Sequence, residues 1–308
     1  MSALEDHLQE YLRLRRTLGY KLEHHGRILP QLIAYLDQHG ASTITSELAI
    51  RWARSTTGTC RRSWAARLAV ARGFAAYLHT IDPATQIPPV GVFGGHYRRP
   101  APYLWSEQDI GRLLEAARGL RPSLKAATCE TMFGLLAVTG MRVGEAVALE
   151  RDDVNLATGV ITIREQTAKL QRARLIPVHA TTITALERYL TVRDRLCPAP
   201  RSNRFFLSPR GGPWDRNQVT RALREITIAL GLRTATVHPR THDLRHSFAV
   251  RTLLDAELAG VAVDQRIATL ATYLGHAAPS DTYWYLSATP ELMGVAAQRL
   301  DQRFGARS

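Results

Sequence analysis

Through the first eighty residues apolar positions recur at helical spacing. Leu4, Leu8, Tyr11, Leu12, Leu14 and Leu18 form one run, closed by Gly19. Ile28, Leu32, Ile33, Tyr35 and Leu36 form a second, ended by His39-Gly40, and Ser46-Glu47 opens a third with Leu48, Ile50 and Trp52. Residues 60–79 predict a fourth helix, carrying Trp64, Leu68, Val70, Phe74, Tyr77 and Leu78. The pattern then breaks. Pro83, Pro88, Pro89, Gly91, Gly94, Gly95, Pro100 and Pro102 crowd into residues 82–104, a density no helix survives. A helical domain is therefore expected over 1–82, an interdomain linker over 83–104 and a second domain over 105–308.

In the second domain Ser106 is placed to cap a helix with Glu107 and Asp109 in its first turn, and another helix is expected over roughly 122–139. GVITIR (159–164) alternates as a strand does, and ARLIPV (173–178) does so again. The polar EQTAKLQR between them predicts a β-hairpin with a longish loop. Helices follow near 180–196, 215–230, 241–258 and 263–273, then a short one over 290–308 with Leu292, Met293, Ala296, Leu300 and Phe304 on one face. The class is mainly α with one small β-sheet, α+β, without internal repeats.

Charge adds a partner. Forty basic against 27 acidic residues leave +13, and residues 1–100 (13 basic, 7 acidic) are positive as well as 101–308 (27 basic, 20 acidic). Both halves suit one polyanion, such as a DNA duplex. Arg61, Arg62 and Arg67 on the fourth helix and Arg98 and Arg99 in the linker are the candidate phosphate contacts. No apolar run is long enough to cross a membrane, and the N-terminus lacks the basic start and apolar core of a signal peptide. Three scattered cysteines, Cys60, Cys129 and Cys197, read as reduced thiols of a cytoplasmic protein. Only three of the forty basic residues are lysines: Lys21, Lys125 and Lys169.

Four short motifs stand in order in the second domain: Thr139-Gly140-Met141-Arg142-Val143-Gly144-Glu145, Lys169 in the hairpin loop, His242-Asp243-Leu244-Arg245-His246, and Leu274-Gly275-His276 followed by Tyr283-Trp284-Tyr285. With that order and spacing the chain resembles the tyrosine recombinases, which include phage integrases and the Xer and Cre recombinases. The resemblance covers essentially the whole chain. It implies a helical core-binding domain in front of a catalytic domain, the two forming a clamp around DNA. It implies an active site of Arg142, Lys169, His242, Arg245 and His276, with Tyr285, nine residues after His276, as nucleophile. One departure is Leu170, where the family often has glycine; the shape of the hairpin loop is what it puts in question.

The chemistry is consistent with those residue types. Phosphodiester cleavage builds negative charge on the non-bridging oxygens, which a pair of permanently charged guanidiniums, Arg142 and Arg245, can meet bidentately. Glu145, three residues after Arg142, can orient it across one helical turn. The departing 5′ oxygen needs a proton, which an ammonium at Lys169 can supply and a guanidinium cannot. His242 and His276 can bond phosphate oxygens and relay the tyrosine proton. HDLRH also approximates the H-E-x-x-H zinc motif, but aspartate replaces the glutamate and no third ligand is evident. No metal and no nucleotide cofactor is expected.

The function implied is site-specific recombination through a 3′-phosphotyrosine intermediate, for a mobile element or for chromosome or plasmid resolution. It would act on double-stranded DNA in the cytoplasm of a prokaryote, on its nucleoid. The resemblance also implies a homotetramer on paired sites, with the C-terminal helix docking on the neighbouring protomer. The alternatives are type IB topoisomerase-like relaxation and a non-catalytic DNA-binding protein of the same fold.

Overall fold

The computed structural model describes residues 3–56, 60–94, 101–165, 173–261, 263–276 and 282. The chain divides into two compact units, Met1–Arg99 and Pro100–Ser308.

In the first unit the four periodic runs become α1 (Ala3–Thr17), α2 (Glu23–Gln38), α3 (Ser46–Arg54) and α4 (Arg61–His79). Their apolar stripes close on one core around Leu8, Leu29, Leu36, Trp52, Leu68 and Phe74. Thr45 rather than Ser46 caps α3, its hydroxyl accepting from the Leu48 amide at 3.2 Å.

The expected linker begins later than the proline pattern suggests, because residues 83–94 pack on this unit. The Gln86 amide donates to the Ile44 carbonyl at 2.7 Å, and the Arg72 guanidinium donates to the Pro88 and Pro89 carbonyls, each at 2.8 Å. Phe93 is buried in the core, 5.8 Å from the Trp64 ring. Prolines suit such a segment, since their carbonyls find donors and they bring no N–H that would need an acceptor. On the other side Tyr103 donates to Asp109 at 2.8 Å, and the Trp105 amide donates to the Ser247 hydroxyl at 2.7 Å, so that end is built into the second unit. Arg98 and Arg99 lie outside the described residues.

Arg67 has partners within its own unit. Its guanidinium lies over the Trp52 ring at 4.2 Å and donates to Gln31 Oε1 at 3.3 Å and to the Trp52 carbonyl at 3.4 Å. It braces α3 against α4 as a cation–π partner. Arg61 and Arg62 are exposed on the first turn of α4.

The second unit runs α5 (Glu107–Arg118), α6 (Ser123–Thr139), α7 (Val143–Ala148), a single 3-10 turn, β1 (Val154–Asn155), β2 (Val160–Ile163), β3 (Arg174–Pro177), α8 (Ala180–Leu196), α9 (Arg216–Ala229), α10 (Thr241–Leu258) and α11 (Val263–Leu274). Ser106 caps α5, accepting from the Asp109 amide at 3.0 Å. α6 is the central helix. It packs against α5, α8 and α10 and buries residues on every side, so it carries no amphipathic stripe. The hairpin forms as expected, with Ile161 paired to Ile176 and Ile163 to Arg174. The two-residue β1 extends it to an antiparallel sheet of order β1-β2-β3. The unit is mainly helical with one small sheet, the class expected. Among the described residues no helix is long and apolar enough to cross a membrane.

Candidate active site

The site is assembled where the ends of three helices meet. α6 stops at Gly140, whose φ of +60° is left-handed and whose missing side chain is filled by the Phe248 ring of α10; a Cβ there would collide with it. The turn aims the Gly140 carbonyl at Arg245 Nη1, 2.9 Å away. The chain then enters α7 with Arg142 as N-cap. Glu145 accepts from the Arg142 amide at 2.9 Å and from its Nη1 at 2.9 Å, so one carboxylate both caps the helix and orients the guanidinium.

A second glycine does the matching work after α11. Gly275 has φ +66°, and its carbonyl accepts from Arg142 Nη2 at 2.9 Å. The Leu274 carbonyl beside it accepts from Arg245 Nη2 at 2.8 Å. The two arginines are thus cross-braced: the Thr-Gly turn next to Arg142 holds Arg245, and the Leu-Gly turn next to His276 holds both. Arg245, only 1% exposed, also reaches His276 Nε2 at 2.8 Å. A guanidinium only donates, so this Nε2 is the acceptor and the neutral ring carries its proton at Nδ1. That nitrogen lies 2.8 Å from the hydroxyl of the buried Thr282.

The structure therefore brings together Arg142, Glu145, Arg245 and His276. His242 stands exposed on the first turn of α10, its ring edge-on to that of His246 with centroids 5.3 Å apart. Lys169, Leu170, Tyr283, Tyr285 and residues 290–308 lie outside the described residues. Tyr273 belongs to α11 and stacks on Phe248 at 5.7 Å; burial pushes its phenol up, as befits a packing residue.

Two members were not singled out by their sequence context. Arg174, the first residue of β3, donates to Glu145 Oε1 at 3.1 Å and Oε2 at 2.7 Å. Asp243 is fully buried and accepts from the Arg240 amide and from Arg240 Nη2, both at 2.8 Å. It pins the start of α10 and is not available as the base a zinc reading of HDLRH requires. Among the described residues no group of three or more His, Cys, Asp or Glu is placed to hold a metal.

Glu145 decides the charge of this cluster. Burial alone would raise its carboxyl, but hydrogen bonds and charge from Arg174, then from Arg142, outweigh burial and hold it below the usual carboxylate range. It stays ionised between two guanidiniums, and with Arg245 the cluster keeps a net positive charge. Because its folded value is depressed, its stabilisation is present above the ordinary value of 4.5 and is lost as pH falls through the lower folded value. Glu145→Gln is expected to cost about 3 kcal/mol near neutrality, since two arginines lose a buried counter-charge. It should also flatten the acid limb of the stability curve below pH 4.5. Urea unfolding from pH 3 to pH 7 checks this, and an unchanged acid slope in the variant refutes it.

Three clustered guanidiniums, Arg142, Arg174 and Arg245, stand with His276 around the buried Glu145 on a helical frame with a small sheet. The Phage integrase family matches residues 105–291. A protein of Sinorhizobium fredii, "Putative integrase/recombinase y4rB", is 40% identical over 100% of both chains. "Tyrosine recombinase XerD" of Staphylococcus saprophyticus is 29% identical over 64% of each. Among solved structures, the integrase of transposon Tn1549 in complex with transposon right-end DNA has the same fold, with TM-score 0.69 at 15% identity, covering 99% of this chain and 100% of that one. The chain belongs to the phage integrase family and is a tyrosine recombinase.

Proposed function

We propose that this chain recombines double-stranded DNA at specific sites, with Tyr285 as nucleophile and Arg142, Lys169, His242, Arg245 and His276 around the scissile phosphate. The Tyr285 hydroxyl attacks phosphorus as its proton passes to the histidines, His242 and His276; a phosphotyrosine bond forms and the bond to the 5′ oxygen breaks. Lys169 gives that oxygen its proton. Joining reverses the step with the 5′ hydroxyl of another strand. Arg142 and Arg245 meet the charge on the non-bridging oxygens, and the energy of the broken bond is kept in the covalent intermediate, so no nucleotide is consumed. Arg61, Arg62, Arg67, Arg98 and Arg99 follow the DNA backbone as the two units close on the duplex. Four copies act on two paired sites, linked through residues 290–308.

The observation that carries this reading is the convergence on Arg245. One guanidinium is held by Gly140, 105 residues before it, and by Leu274 and His276 after it. Three sequence motifs with no local relation meet at one buried charge. A nicked suicide substrate built from the repeats flanking the gene tests the reading. A covalent protein–DNA band on a denaturing gel, unaffected by EDTA, is expected; no band on any flanking sequence, or a band that needs added metal, overturns it.

Lys169 gives a sharper test. Lys169→Arg keeps the charge, yet should lose cleavage, because arginine cannot release a proton at working pH. On a substrate with a 5′-bridging sulfur the thiolate leaves without a proton, and the defect should largely vanish. Equal defects on oxygen and sulfur substrates would show that Lys169 does not protonate the leaving group.

A further inference from the structure

Arg174 has 11% of its side chain exposed, and its donors run in two directions. Nη1 and Nη2 grip both oxygens of Glu145, and Nε donates to the Tyr273 carbonyl at 2.9 Å, near the end of α11. The flat guanidinium also lies against Gly275, where an added Cβ would stand 3.0 Å from Nη1. Its backbone, paired with Ile163, is a foot of the hairpin whose loop carries Lys169. The other foot is held as well, since Arg164 pairs with Glu150 at 2.8 Å and with Asp153 at 3.2 Å. Arg174 thus sits on the strand that follows the Lys169 loop in sequence, while its side chain touches the carboxylate that orients Arg142 and the turn that leads to His276.

We infer that Arg174 is a positioning residue for strand cleavage, coupling the Lys169 hairpin to Arg142 through Glu145. This rests on the assignment of Arg142 and Lys169 proposed above. The rival is a counter-ion that merely neutralises a buried carboxylate. The geometry favours coupling. A bidentate fork with a third donor pointing elsewhere fixes the carboxylate in plane and direction, which a point charge cannot do. Glu145 is shared between the two guanidiniums, so any tilt of the carboxylate is passed to Arg142.

The test is single-turnover cleavage by Arg174→Ala, Arg174→Lys and Arg142→Ala. Each acts on an ordinary phosphodiester and on a methylphosphonate, whose scissile phosphorus has no negative charge to meet. Arg174→Ala is expected to slow cleavage of the ordinary substrate by about 10- to 100-fold, the scale for losing a group that orients a site ligand. Duplex binding should change little. Arg174→Lys should recover thermal stability better than rate. On the methylphosphonate the Arg142→Ala defect should shrink, and the Arg174 defect should shrink with it. A role in folding alone would slow both substrates equally, and that result overturns the inference. So does an Arg174 variant cleaving at wild-type rate beside a defective Arg142→Ala. A normal Arg142→Ala on the phosphodiester instead sinks the site assignment itself. Where Arg174→Ala does not fold, Arg174→Lys carries the same comparison.

Discussion

Tyr285→Phe is expected to abolish the covalent protein–DNA adduct while leaving DNA affinity nearly unchanged. The substitution removes one hydroxyl and no charge, so the electrostatic term that dominates duplex binding persists. With no hydroxyl there is no oxygen to form the phosphotyrosine bond, and neighbouring groups cannot stand in. The competitor is Tyr283. If 282–286 is helical, residues two apart point about 200° apart and only one of the pair can face the site. The register is tied to His276, whose ring is fixed by Arg245 on one side and Thr282 on the other, three residues before Tyr285. The measurement is a denaturing gel on a nicked substrate, with Tyr283→Phe run beside it. Loss of the adduct in Tyr283→Phe and its survival in Tyr285→Phe would shift the register by two residues and name Tyr283 as nucleophile.

How much was legible beforehand differs by the kind of signal. Helices with one buried stripe, such as α2, announced themselves, and so did the alternating hairpin. β1 did not, because two residues carry no period. The proline-rich stretch signalled that no helix runs there, and its described residues, 82–94 and 101–104, form none. It said nothing about packing, and Phe93 and the carbonyls held by Arg72 attach it to the first unit. Arginine identity was the weakest signal. Nothing around Arg67 in the sequence announces that it stacks on Trp52. Arg174, one of 37 arginines, sat in a strand with no motif around it, and only the fold brings it to Glu145. Motif glycines were legible as motif, but their physical reason is structural. Gly140 and Gly275 take positive φ so that their carbonyls can hold the two arginines.

Arg142 and Arg245 look equivalent in sequence and are built differently, so their removal should have different consequences. Either alanine variant is expected to slow cleavage by about 10²-fold or more, the scale of losing one preorganised donor to a developing charge. Stability should separate them. Arg245 is 1% exposed, and its loss strands the Gly140 and Leu274 carbonyls and one ring nitrogen of His276. Each buried acceptor left without its donor costs about 1–3 kcal/mol, so Arg245→Ala should unfold at clearly lower urea. Arg142 keeps 19% of its side chain exposed, and Glu145 retains Arg174 when it is gone. Arg142→Ala should therefore lose activity with a smaller loss of stability. Lysine should rescue neither, because a single ammonium cannot span the acceptors each fork reaches. Urea midpoints and single-turnover cleavage, measured on the same preparations, decide it. If Arg142→Ala is the less stable variant, the difference in bracing is refuted; if Arg245→Ala cleaves near the normal rate, the buried guanidinium is only a structural brace and the phosphate charge is met elsewhere.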